Sequence, residues 1–84
     1  MEIGKDYPFS LYVHCGVRDA NFNGRRWMAD PMLGSGNPPR DWTSDDSKGV
    51  MELVSEDLAR FTSKTGRIIE FIPWPSDVFW RPCV

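Results

Sequence analysis

The chain has 84 residues, of which 40% are hydrophobic and 26% charged, and its formal net charge is −2 at pH 7. This length fits one domain, and this balance of apolar and charged residues excludes wholesale disorder. The cationic residues are scattered, so the sequence lacks the basic stripe that follows a nucleic-acid backbone. No apolar stretch approaches the ~20 residues of a membrane helix, and the N-terminus does not resemble a signal peptide. We expect a single cytoplasmic domain over residues 1–84.

Residues 9–15 predict the first strand, because apolar and polar side chains alternate along them. One face would carry Phe9, Leu11, Val13 and Cys15, and the other Ser10, Tyr12 and His14. Gly16 then permits a turn. The alternation predicts a strand with one buried face.

Residues 17–30 predict a β-hairpin, because Asn23-Gly24 is the strongest short-range signal for a two-residue turn. Counting outward from this turn gives the pairs Phe22 with Arg25, Ala20 with Trp27 and Arg18 with Ala29. The face expected to be buried carries Ala20, Phe22, Trp27 and Ala29, and the solvent face carries Asp19, Asn21, Arg26 and Asp30. We expect Trp27 in the core and this hairpin at the centre of the sheet.

Residues 31–49 predict a long irregular connection, since they contain several prolines, glycines and small polar residues. Connections of this length in small domains are usually functional or mobile. Pro38 and Pro39 stand where a phosphate-binding loop would need helical N–H groups, so that function is disfavoured. Trp42 either pins this connection to the body of the protein or is exposed for a partner.

Residues 50–62 fit two structures. Met51, Val54, Leu58 and Phe61 have helical spacing, whereas Met51, Leu53, Ala59 and Phe61 fit strands interrupted at residues 55–57. We favour strands, because residues 63–66 followed by 67–74 look like the turn and return strand of a second hairpin. Ile69 and Phe71 would then face inward, and Pro73 and Pro75 would end the pairing.

These elements predict an all-β domain: a small antiparallel open barrel or twisted sheet of about five strands. A long irregular loop and an extended C-terminal tail complete it. The tail is rich in apolar residues, so we expect it to fold back across the open end of the sheet. A disulfide between Cys15 and Cys83 would fasten it there, and the alternative is two reduced cysteines.

Several short motifs occur in a recognisable order: Cys15-Gly16, Asn23-Gly24, Trp27, the "GNPP" of residues 36–39 followed by Trp42, Gly49, and the "MELVSEDLARF" of residues 51–61. In this order they resemble a family of small uncharacterised proteins of actinobacteria and their phages. The resemblance covers roughly residues 9–83. It implies β structure over residues 50–62 and an actinobacterial or phage source, and it carries no activity to transfer.

The sequence predicts no catalytic residue, cofactor or metal site. His14 and Cys15 are adjacent, and adjacent residues of a strand point to opposite faces, which separates a Cys–His pair. One histidine and two cysteines do not form a zinc-binding pattern. The acidic pairs Asp45-Asp46 and Glu56-Asp57 are typical of solvated surface or turns. An enzyme would need a polar site near His14, with Asp19 and Arg26.

Tryptophan, phenylalanine and arginine dominate the energetics of protein interfaces. The residues predicted to bind a partner are Arg40, Trp42, Trp74, Phe79, Trp80 and Arg81. We therefore expect a non-catalytic interaction or regulatory protein, of phage or mobile-element origin, that uses the 31–49 loop and the aromatic tail. Its partner would be a protein, including a second copy in a homodimer. Stacking of single-stranded nucleic acid is the alternative, and the acidic chain disfavours it.

Overall fold

A computed structural model describes residues 1–34 and 38–81 and contains one antiparallel sheet. Its strands are β1 (Asp6–Ser10), β2 (Val17–Phe22), β3 (Arg25–Leu33), β4 (Lys48–Ser55), β5 (Leu58–Ser63) and β6 (Ile68–Pro73). In the sheet they follow the order β1-β4-β5-β6-β3-β2. The sheet curls into an open half-barrel with β1 and β2 at its edges. The all-β prediction is confirmed, with six strands where about five were expected.

Large side chains fill the inner face of the half-barrel. Trp27, Phe61, Phe71 and Met51 are fully buried. The Phe22 ring stacks on Trp27 with 4.8 Å between ring centroids, and its edge meets Phe71 at 6.4 Å. Each such ring brings ~150–250 Å² of apolar area to the core. A few aromatic side chains therefore supply much of the apolar burial in this small sheet.

The β2–β3 hairpin has the predicted turn. Asn23 and Gly24 have φ values of 52° and 74°, as a two-residue turn with positive φ at both positions requires. The pairs Phe22 with Arg25 and Ala20 with Trp27 are confirmed. The predicted pair of Arg18 with Ala29 is wrong, because the register shifts between Val17 and Asp19. A register shift of this kind places extra residues on one strand, which counting from the turn does not reveal.

The hairpin lies at the edge of the sheet, so the prediction that it forms the centre is wrong. The consecutive strands β4, β5 and β6 form a meander, and β5 lies between β4 and β6. The hairpin attaches to this meander through β3 alone, by pairs such as Met28 with Ile72. Side-chain alternation identifies a buried face in each strand, but it does not specify which strands are neighbours.

The first strand begins earlier and ends earlier than predicted. β1 covers Asp6–Ser10, and its last pair joins Ser10 to Lys48, the first residue of β4. The Leu11 N–H donates to the Ser47 carbonyl at 2.7 Å, and the chain then turns where the Gly16 N–H bonds to the Val13 carbonyl. Because β4 begins at Lys48, it cannot pair with residues beyond Ser10. Residues 11–15 therefore form an irregular segment.

The connection between β3 and β4 is shorter than the predicted 31–49 loop. Residues 31–33 belong to β3, β4 begins at Lys48, and a 3₁₀ helix (Ser44–Ser47) precedes it. Residues 50–62 form β4 and β5, so strands are confirmed and the helical alternative is wrong. The register shifts between Leu53 and Ser55, where an interruption was expected.

Candidate interaction site

The C-terminal tail, defined here as residues 74–81, folds against the β2–β3 hairpin. The Trp74 backbone N–H donates to the Arg26 carbonyl at 3.0 Å, and its indole N–H donates to the Val78 carbonyl at 2.8 Å. The Val78 N–H in turn donates to the Pro75 carbonyl at 3.1 Å. These bonds turn the first half of the tail into a compact loop attached to β3.

Trp80 attaches the second half of the tail to β2. Its indole N–H donates to Asp19 Oδ2 at 2.8 Å. The Arg26 guanidinium carbon lies 3.7 Å from the centroid of the Trp80 ring, which is close for a cation–π contact. Arg18 Nη1 donates to the Arg81 carbonyl at 2.7 Å. Trp80 is thus held by a hydrogen bond at its edge and an arginine on its face.

Phe79 is the most exposed large side chain in this segment. Eighty per cent of its surface is accessible, although both its neighbours are hydrogen-bonded, Val78 to Trp74 and Pro75 within the tail and Trp80 to Asp19 of β2. The Arg81 guanidinium lies 5.8 Å from the centroid of its ring. The tail therefore presents an exposed phenyl ring between a residue bonded within the tail loop and a residue bonded to β2.

A cleft of about 420 Å³ lies beside the tail, between the two edges of the half-barrel. Phe9, Ser10 and Tyr12 line it on the β1 side, Asp19, Ala20 and Asn21 line it on the β2 side, and Trp80 also contributes to its wall. The Phe9 and Phe22 rings meet edge to face at 5.5 Å, so the two edge strands approach each other through side chains. The cleft thus combines apolar surface with polar groups of an edge strand.

The 31–49 region is fastened through Trp42. This residue is half-buried, packs against the core, and donates its indole N–H to Ser47 Oγ at 2.7 Å. The Arg67 guanidinium carbon lies 5.0 Å from its ring centroid. Trp42 was expected either to attach this connection to the body of the protein or to be exposed for a partner. These contacts favour attachment. Arg40 is exposed on the same segment, and residues 35–37 lie outside the described residues.

Asp46 anchors the same segment from within. It is buried, and it accepts hydrogen bonds from the Thr65 hydroxyl and from the Thr43 N–H at 2.6 Å. Arg67 Nε lies 2.9 Å from Asp46 Oδ1. These donors, with the Thr65 hydroxyl contributing most, hold the pKa of the Asp46 carboxyl well below its usual range. Of the two predictions for Asp45-Asp46, solvated surface is wrong for Asp46, which is buried, whereas its bond from the Thr43 N–H is the local turn chemistry that was expected. Its bond to Thr65 joins residues distant in sequence.

The residues of the enzyme alternative come together only in part. Asp19 Oδ2 lies 4.0 Å from Arg26 Nε. His14 is exposed, its ring lies 6.1 Å from that of Tyr12, and it is not among the residues that line the cleft. Cys15 is disulfide-bonded, which removes it as a thiol nucleophile. Cys83 lies outside the described residues, so the Cys15–Cys83 pairing stays a prediction.

Sequence reasoning named Asp19 only as part of an enzyme site, and it missed the contribution of Tyr12 and Asn21 to this region. Asp19 and Asn21 were identified as outward-facing residues, which is correct for a hairpin face. Their position beside a cleft follows from the location of β2 at the edge of the sheet. The alternation of polar and apolar residues does not predict that location. Only the presence of an amide side chain on an aromatic-rich hairpin could have drawn attention to Asn21.

The fold and this surface define a class: a small antiparallel half-barrel with an ordered aromatic tail. No protein-family model, curated protein or solved structure matches the chain. Among residues 1–34 and 38–81, no three His, Cys, Asp or Glu side chains are grouped to hold a metal ion. The same residues include no helix with the length and hydrophobicity needed to cross a membrane.

Proposed function

We propose that this protein is a non-catalytic interaction or regulatory protein that contacts a protein partner through its tail. The observation that supports this proposal is the exposure of Phe79 between two hydrogen-bonded neighbours, Val78 and Trp80. Exposed aromatic side chains are common anchors of protein interfaces. Because the backbone around Phe79 is ordered before binding, less conformational entropy is lost when a partner buries the ring.

The six residues predicted to bind a partner have different roles in this proposal. Phe79 and Arg81 are exposed and would contact the partner directly. Trp74 and Trp80 would act indirectly, since their indole N–H groups hold the tail in place. Trp42 and Arg40 belong to the β3–β4 connection, and a contact through them is secondary. A cytoplasmic location and a phage or mobile-element origin stay predictions from the sequence.

A photo-cross-linking amino acid at position 79 tests this proposal. The matched control places the same group at position 68, because Ile68 is also an exposed apolar residue, 63% accessible, but lies on β6. We expect a discrete cross-linked protein from position 79 and not from position 68 in cells that produce the protein. Unlabelled wild-type protein should compete for this species, and Phe79→Ala protein should not. The same species from both positions, or none from position 79, would contradict the proposal.

A second copy of the chain is one candidate for the partner. Solution mass measured over a range of concentrations distinguishes it, with Phe79→Ala and Ile68→Ala as the variants. A concentration-dependent dimer that is lost only in Phe79→Ala makes the partner a second copy. A monomer throughout directs the search to a different protein, identified from the cross-linked species.

A further inference from the structure

The two edges of the half-barrel differ in the backbone groups they present. In an antiparallel pair, alternate residues direct N–H and C=O toward the neighbouring strand, and the others direct them away. The Leu11 N–H bonds to Ser47, and this register continues through Phe9 with Gly49. Pro8 therefore belongs to the outward set, where it supplies no N–H. A proline on an edge strand is a common protection against further pairing.

On the outer edge of β2, Asn21 can offer both a backbone N–H donor and a backbone C=O acceptor. The two-residue turn makes Phe22 and Arg25 a hydrogen-bonded pair, so Asn21 and Arg26 form the next, non-hydrogen-bonded pair. The Arg26 carbonyl accepts a hydrogen bond from the Trp74 N–H, so the backbone N–H and C=O of Arg26 point away from β2. By the same alternation, the N–H and C=O of Asn21 point away from β3. Both groups lie beside the cleft, which Asn21 lines.

The cleft has the features that an added strand requires. Apolar side chains at its base, Phe9 and Ala20, would contact alternate residues of an extended segment. The edge-to-face contact of Phe9 with Phe22 keeps the base closed. The polar wall at Asp19 and Asn21 lies on the β2 side, where backbone pairing would form. One extended segment could therefore pair with β2 and bury apolar side chains together.

Charge near the cleft favours an acidic partner. Two arginines, Arg18 and Arg26, lie beside the carboxylate of Asp19. The Arg26 Nε is buried and has no hydrogen-bond partner among the described residues, and the nearest Asp19 oxygen is 4.0 Å away. An additional carboxylate would complement this excess of positive charge.

We infer that the outer edge of β2 binds an extended, acidic segment of another protein by β-strand addition. The segment pairs with the Asn21 backbone, places alternate apolar side chains over Phe9 and Ala20, and directs a carboxylate toward Arg18 and Arg26. This inference rests on the proposed function, because it names the kind of partner that an interaction protein of this shape takes. Phe79 then contacts surface of the partner beyond the added strand.

Two variants at one position test the backbone pairing. Asn21→Pro removes the outward N–H, whereas Asn21→Ala removes the side chain and keeps that N–H. The probe is a capped, fluorescent peptide of sequence TVEVEVT, and its affinity is measured by fluorescence anisotropy. We expect Asn21→Pro to bind about five- to tenfold more weakly than Asn21→Ala, the effect of losing one backbone hydrogen bond. A peptide with lysine in place of glutamate should bind more weakly to the wild-type protein.

A second measurement keeps the test valid if Asn21→Pro does not fold. Two versions of the peptide carry N-methyl groups on its odd-numbered or its even-numbered residues, and both are tested on wild-type protein. Since alternate amides of an added strand face β2, one version should lose binding and the other should retain it. On binding of the unmodified peptide, the Asn21 amide should also exchange with solvent more slowly.

Several results would overturn the inference. Equal affinities for the two Asn21 variants, with both folded, would exclude backbone pairing, as would equal loss or equal retention with the two N-methylated peptides. Equal binding of the glutamate and lysine peptides would exclude an acidic partner. A dimer in wild type that is absent in Asn21→Pro would make a second copy the occupant instead. A specific cross-link from position 79 without peptide binding would leave the proposed function standing and remove strand addition.

Discussion

Gly49 lies where the backbones of two strands leave no room for a side chain. It pairs with Phe9 in β1 and with Ser63 in β5. A Cβ atom built on Gly49 would lie 2.0 Å from the Thr62 carbonyl oxygen and 2.7 Å from the Ser63 Cα. Both atoms belong to the backbone of β5, so they cannot move without moving the strand. We predict that Gly49→Ala strongly destabilises the fold.

The magnitude follows from the cost of overpacking. Extra atoms in a packed interior cost typically about 1–3 kcal/mol, and contacts with backbone place this substitution at about 3 kcal/mol or above. The total stability of a small domain is roughly 5–15 kcal/mol. For a domain of this size each kcal/mol lowers Tm by about 4–8 °C, so we expect Tm to fall by about 12–24 °C. Without the clash, replacing a strand glycine by alanine would stabilise by about 0.5–1 kcal/mol.

Thermal and urea unfolding followed by circular dichroism measure this effect. Gly24→Ala is the matched control, because Gly24 has φ +74° and a Cβ atom added to it would have no other atom within 4 Å. It should cost only the strain of positive φ, about 1 kcal/mol, and lower Tm by about 4–8 °C. If Gly49→Ala is no less stable than Gly24→Ala, the close packing of β4 against β5 at Gly49 is wrong.

Two further substitutions test the polar contacts. Asp46→Asn should lower stability at pH 7, because the amide replaces a carboxylate that Thr65 and Arg67 stabilise. The pKa of Asp46 is lower in the folded state than in the unfolded chain, so its contribution is present above about pH 4 and is lost as pH falls below that value. Urea unfolding at neutral and acidic pH should therefore show the two proteins converging in acid, and a constant difference would contradict this. Trp80→Phe keeps a ring over Arg26 but removes the donor to Asp19, so proteolysis in the tail should quicken while the Tm of the sheet changes little. An unchanged proteolysis rate would show that this hydrogen bond does not hold the tail.

The local parts of the fold could be predicted from the sequence. Asn23-Gly24 specifies a turn through its tolerance of positive φ, and alternation then places Trp27 and Ala20 on the buried face. Alternation also identified the inward residues of β5 and β6, such as Phe61 and Phe71. These features depend on residues close together in the chain, so a pattern of period two is sufficient to find them.

The order of the strands in the sheet depends on contacts between residues far apart in the chain. Each strand reveals a buried face but not its neighbours, so the edge position of β2 and the cleft beside it could not be read from the residues. The same holds for the buried carboxylate of Asp46 and for the bond from Trp80 to Asp19, whose partners are 19 and 61 residues apart. Local residue patterns thus specify an aromatic-rich antiparallel domain, while long-range contacts specify which of its surfaces are covered and which are exposed.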